Sequence, residues 1–188
     1  MQGRPTSRFN GPGLAMLAPA AERGRLEGRA SNRHMRIAGA HIVFHRFLKT
    51  SPKHSVCGVL LCKRTQDAPM HPGYWGLFGG KRDGAEQPKR TAIREIWEEL
   101  GIKLRDANVK ALCDVKIQRG DVRGALGVRY FSAELTVDMD CLKLRRNTHE
   151  GKVEGEGLGW FTAEEIEHLM VRPEDRAAIC TFFRKHGT

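Results

Sequence analysis

The chain has 188 residues, enough for one domain with a sizeable core and few for two. Apolar residues make up 40% and charged residues 29%, a balance that excludes fibrous, disordered and disulfide-scaffold classes, and no apolar run reaches the roughly 18 residues of a spanning helix, so no membrane role is expected. Lys and Arg total 32 against 22 Asp and Glu, a formal charge of +10, which points to anionic partners such as nucleotides, nucleic acid or lipid headgroups without choosing among them.

Residues 1–34 are rich in Gly and Pro and show no sustained period of 2 or 3.6. They read as a flexible basic N-terminal extension. Six Arg against Glu22 and Glu27 give this segment +4 of the total charge. Arg4 and Arg8 precede a mostly apolar stretch at 14–21, but Pro19 interrupts it and Glu22 follows. That is a poor signal peptide and leaves an Arg-rich transit segment open. The five cysteines, at 57, 62, 113, 141 and 180, are odd in number and form no C-x-x-C pair. Reduced thiols in a cytoplasmic protein are expected.

From Met35 the pattern is regular, and 35–188 reads as the folded domain. Strands are expected at 38–47 and 56–62, the second nearly continuous in apolar character and so central. A Pro- and Gly-containing turn region at 66–74 leads to a run at 75–80 that ends in a glycine pair. Pro88 suits the first turn of a helix and Gly101 its end. Further strands are expected at 109–118, 126–135 and 158–161, with a polar stretch at 136–157 and helices at 163–170 and 174–185. This order predicts an α/β fold with helices on both faces of a mixed β-sheet.

The helix at 88–100 carries the chemistry. At about 100° per residue, Glu95, Glu98 and Glu99 fall on one side with Arg94, while Ile93, Ile96, Trp97 and Leu100 fall on the other. Like charges at these spacings each cost roughly 0.2–0.5 kcal/mol in an isolated helix. Arg94 relieves part of the repulsion, and a divalent cation such as Mg²⁺, which prefers oxygen ligands, would relieve the rest. The chemistry such an arrangement supports is attack of an activated water on phosphorus.

The whole stretch at 80–102 resembles the Nudix box: Gly80, Glu86, Arg94-Glu95, Ile96, Glu98-Glu99, Gly101 and Ile102 stand at the family's spacing. A chance match is about one in ten million. The resemblance implies a Nudix-type α/β/α sandwich and a metal-dependent pyrophosphohydrolase cleaving a nucleoside diphosphate linked to another moiety, with Mg²⁺, or Mn²⁺, as cofactor. Carried over by position, Glu95, Glu98, Glu99 and the carbonyl of Gly79 or Gly80 would hold the metal. Arg94 would orient the carboxylates, and Gly80, Glu86 and Gly101 would brace the box. The general base in this family comes from the box or a later loop, which makes Glu95 the first choice and Glu154 and Glu156 the loop candidates. Phe78, Asp83 and Ala85 depart from the commonest sequences around the box without touching its fixed positions.

Away from the fixed positions of the box the signals are weaker. Trp75 could stack on a base, and Lys81 and Arg82 could neutralise phosphates. A small nucleotide or nucleotide conjugate is the expected partner. The basic extension keeps an RNA-end hydrolase open, and a Nudix-like module that binds nucleotide or RNA without cleaving it is the alternative from another class. Oligomeric state is not legible.

Overall fold

β1 (Arg36–Ser51) is longer than its apolar run and organises the sheet. The computed structural model describes residues 35–51, 53–117, 125–145 and 155–186. By contacts the chain divides into two units, Met1–Asn32 and Arg33–Thr188; the second is described below, and the extension expected at 1–34 lies outside the described residues.

Along one edge β1 pairs in parallel with β6 (Leu126–Glu134), which pairs antiparallel with β5 (Lys110–Ile117). Along its other edge β1 meets two partners. Its C-terminal half runs antiparallel to β2 (His54–Arg64), and residues 39–42 run antiparallel to β4 (Phe78–Lys81). β2 carries β3 (Trp75–Gly76) on the edge it shares with β1 and β7 (Gly155–Phe161) on the other. β1 and β2 therefore splay apart, and β3 and β4 fill the wedge. The run at 75–80 is two short strands with different partners, because its halves reach opposite sides of that split.

Side chains alternate across the sheet, and both faces are covered. Ile42, Phe44, Leu60, Phe131 and Ala133 pack with Ala92, Ile96 and Leu100 of α1 (Pro88–Leu100). Val43, Val59, Leu61, Val128 and Tyr130 pack with Ala178, Ile179 and Phe182 of α3 (Pro173–His186). The expected mixed sheet with helices on both faces is present. Between β7 and α3, α2 spans only Ala163–Glu167, opened by a capping box between Thr162 and Glu165. It is shorter than the helix expected at 163–170, because Val171 bridges to Trp75 and draws the chain out into extended form. None of the five cysteines forms a disulfide, and among the described residues no helix is long and apolar enough to cross a membrane.

Candidate active site

α1 starts with Pro88 in its first turn and stops at Gly101, whose φ of 70° closes the helix with a hydrogen bond from its N–H to Trp97 O, 3.0 Å. Burial of Ala92, Ile96 and Leu100 fixes the helix rotation, and the acidic side turns toward β4. Glu95, Glu98 and Glu99 line a cavity of about 270 Å³ together with residues 76–81 of the β3–β4 segment. Arg64, Arg145 and Arg172 also line it; Arg172 is paired with Glu174 at 2.7 Å, and the Arg145 guanidinium lies over the Trp97 ring.

Two adjacent glycines let the helix and the strand approach. Gly79 has φ +136°, a conformation side chains rarely adopt, and its N–H donates to Glu99 Oε2 at 3.1 Å. A Cβ on Gly80 would strike the Glu95 carboxylate, while a Cβ on Gly79 would strike His41 on the other face of the sheet. The glycine pair is a thin floor with Glu95 above and His41 below.

Arg94 organises the carboxylates. Its Nη1 donates to Glu95 Oε1 at 2.9 Å and to Glu98 Oε2 at 3.1 Å, and its Nη2 donates to Glu86 Oε2 at 3.1 Å and to Lys81 O at 3.2 Å. Glu86 also accepts from the hydroxyl of buried Thr91 at 2.8 Å. Burial would raise the Glu86 carboxyl, but the hydrogen bonds from Arg94 and Thr91 outweigh it and hold the group below the ordinary value. Glu95 goes the other way. Burial pushes its carboxyl up, reinforced by nearby Glu98, and the Arg94 guanidinium offsets this only in part. Two carboxylates on the same arginine are thus driven apart by their surroundings, the pattern that separates structural from reactive acids.

A NUDIX domain model matches residues 43–182. The chain belongs to the Nudix family. Its similarity to the nucleoside triphosphatase NudI of Enterobacter sp. strain 638 is 32% identity over 129 residues, 67% of this chain and 86% of that protein. A putative 8-oxo-dGTP diphosphatase 3 of Mycobacterium tuberculosis is 28% identical over 105 residues, 54% of this chain and 43% of that protein. Among solved structures, the MutT protein of Methanosarcina mazei Go1 superposes with a TM-score of 0.59 at 20% identity, covering 82% of this chain and 99% of that one, a likeness of fold. Membership makes the chain a hydrolase of phosphorus-containing anhydrides.

Within this Nudix domain the fixed residues of the box come together, and the residues named beyond those fixed positions do not all join them. Lys81 lines the cavity. Arg82 does not: its Nε donates to Glu86 O at 2.7 Å and its Nη1 to Ile37 O at 2.9 Å, so it ties the loop after β4 to β1. Trp75 lies on the α3 face, edge-on to Phe161 with ring centroids 4.7 Å apart. Glu156 pairs with Lys63 at 2.8 Å on the surface, and Glu154 lies outside the described residues. Trp97, expected on the buried side of α1, is 43% exposed, with the Arg145 guanidinium 4.9 Å from its ring centroid. Sequence reading missed Arg145, whose N–H donates to Glu99 O at 2.8 Å, as well as Thr91, His41 and Asp175. A Thr three residues before Arg94, on the same side of the helix, was the one local signal available.

Proposed function

We propose that this Nudix hydrolase cleaves the phosphoanhydride of a nucleoside diphosphate linked to a further group, with nucleoside triphosphates as the substrate class, by attack of water at phosphorus. The observation that carries this reading is the cavity wall, where Glu95, Glu98 and Glu99 stand together beside the Gly79–Gly80 backbone, with the cationic residues Arg64, Lys81, Arg145 and Arg172 also on the lining. The names of the relatives, a nucleoside triphosphatase and a putative 8-oxo-dGTP diphosphatase, support the substrate class.

The α1 wall and the glycine carbonyls offer oxygen donors, which suit Mg²⁺ or Mn²⁺. Among the described residues no three His, Cys, Asp or Glu side chains form a ready-made cluster. That is compatible with Mg²⁺, which usually takes one or two carboxylates and leaves its other positions to water and substrate phosphate. It would draw its carboxylates from among Glu95, Glu98 and Glu99, with the Gly79 carbonyl as a further donor. When bound, such an ion neutralises the phosphoryl oxygens and makes a bound water more acidic.

The chain's own groups do the rest. Glu95, its carboxyl pushed up by burial, is the general base of this reading, since a raised carboxyl is a better proton acceptor near neutral pH. Arg94 holds Glu95 and Glu98 in place, Glu86, Gly80 and Gly101 brace the box, and Lys81 meets substrate phosphate. Five cysteines outside any disulfide support a cytoplasmic setting.

The deciding experiment is a panel of canonical and oxidised nucleoside triphosphates, nucleotide sugars, dinucleoside polyphosphates and ADP-ribose, each with Mg²⁺ and with Mn²⁺. Glu98→Gln and Glu99→Gln should each lower turnover by at least the 10–100-fold typical of groups supporting a metal site, with the circular dichroism spectrum unchanged. Wild-type turnover in both variants would overturn the site assignment.

A further inference from the structure

Asp175 is fully buried in the first turn of α3, on the opposite face of the sheet from α1. Its Oδ1 accepts from the Tyr130 hydroxyl at 2.8 Å and from His41 Nδ1 at 3.2 Å. Its Oδ2 accepts from the Leu77 N–H at 3.0 Å, with Arg172 Nε at 3.6 Å. An ionised carboxylate only accepts, so His41 carries its hydrogen on Nδ1.

Two of these donors belong to the segments that build the glycine floor. Leu77 stands two residues before Gly79, and His41 pairs with Gly79 across β1 and β4. The His41 ring occupies the space a side chain at Gly79 would need, with Cδ2 2.5 Å from that Cβ position. One carboxylate therefore grips the backbone entering the glycine pair and the ring beneath it. On the upper side, Gly79 N–H is spent on Glu99 and the bare Gly80 makes room for Glu95.

We propose that Asp175 is a positioning residue of the active site: through the Leu77 N–H and the His41 ring it fixes the path of residues 77–80 from the far side of the sheet, holding Gly79 N–H on Glu99 and the gap at Gly80 open for Glu95. The inference rests on the assignment of Glu95 and Glu99 to catalysis. An Asn at this position keeps the shape but has one acceptor oxygen, so either its amide N–H₂ faces Leu77 N–H, or His41 and Tyr130 must turn from donors into acceptors, His41 by moving its hydrogen to Nε2. Either way the loop loses a charge-assisted hydrogen bond to an ionised carboxylate. Removing the Tyr130 hydroxyl instead deletes a donor that does not touch the loop.

The test compares Asp175→Asn and Tyr130→Phe with the wild type in the full chain. The readouts are kcat and KM with Mg²⁺ and a nucleoside triphosphate, Mn²⁺ binding to the substrate-free protein by calorimetry, and Tm. The expected result is a 10–100-fold fall in kcat and weaker Mn²⁺ binding for Asp175→Asn, with KM little changed, values typical of groups that orient metal-site residues (roughly 10–100-fold). Tyr130→Phe should lower Tm and leave kcat and Mn²⁺ binding at wild-type levels. If Asp175→Asn does not fold, His41→Gln takes its place, removing the ring beneath Gly79 while keeping a donor for Asp175. Wild-type kcat and Mn²⁺ affinity in the variant tested, or an equal fall in kcat for Tyr130→Phe, would overturn the proposal. Glu99→Gln, measured in parallel, separates the two layers. If it keeps Mn²⁺ affinity, the site assignment falls and this inference with it; if it loses affinity while the Asp175 variant does not, only this inference falls.

Discussion

Glu95 fills the space that a side chain on Gly80 would need: a Cβ built there falls 2.5 Å from Oε1 and 2.6 Å from Oε2. Gly80 is not in the left-handed region, so an alanine there displaces the end of a flexible side chain and does not strain the backbone. Gly80→Ala should keep its Tm within a few degrees and lose at least about 10-fold in kcat, since misplacement by an ångström can cost roughly 10²-fold. Gly79→Ala is the contrast. Its φ of +136° and the Ala40 carbonyl in the path of the new methyl put the cost in the backbone, so thermal melting should show a marked loss of stability. Unchanged kcat in Gly80→Ala would mean that the position of Glu95 does not limit turnover.

Arg94 serves four acceptors at once, the side chains of Glu86, Glu95 and Glu98 and the Lys81 carbonyl. A planar fork can do this and a lysine ammonium, a single charged point, cannot. Arg94→Lys should cost about 1–3 kcal/mol in urea denaturation, the range for losing a hydrogen bond to a charged group in a partly buried site. It should also lower kcat by more than it changes KM, because the carboxylates it releases are those of the cavity wall. Wild-type values of both would show that the charge matters and the fork does not.

What the sequence disclosed was local. The start at Pro88, the stop at Gly101 and the acidic side of α1 are set within a dozen residues by ring geometry, positive φ and helical period. What it hid depends on distant partners. A helical wheel puts Trp97 beside Ile93 and Leu100, but the ring lies partly open beneath Arg145, which arrives from 48 positions on. Nothing in the run at 75–80 says that it must split, because the splay of β1 from β2 is tertiary. Asp175 reads as an ordinary acid in a helix's first turn. Its burial is visible only once His41 and Tyr130, 134 and 45 residues away, close around it.

Glu156 offers a test of which carboxylate takes the proton. It sits in an ion pair with Lys63 at 2.8 Å with both side chains more than a third exposed, and pairs of that kind contribute about 0–1 kcal/mol. Glu156→Gln should therefore keep kcat within roughly 3-fold of wild type, below the 10²–10⁴-fold typical of a lost general base. Glu95→Gln, assayed beside it, should fall into that larger range. The reverse ordering would move the base from α1 to the strand at β7.

The Asp175 carboxyl is held down to about 2, against an ordinary value of 3.8. Burial alone would raise it; the His41 hydrogen bond and the Arg172 charge, helped by Leu77 N–H, more than reverse that. A depressed carboxyl contributes stability that is present above its unfolded value and is lost as pH falls through its folded value. Relative to Asp175→Asn, the wild type should therefore hold an advantage at neutral pH that narrows by about 2 kcal/mol as pH falls from about 5 to about 2. The rest of the gap, from the rearranged hydrogen bonds around the amide, does not titrate with Asp175 and should persist. Urea denaturation of the two proteins at a series of pH values reads this directly, since the other carboxylates titrate in both and cancel. A gap that stays constant across the range would mean that Asp175 is not held ionised by the groups around it.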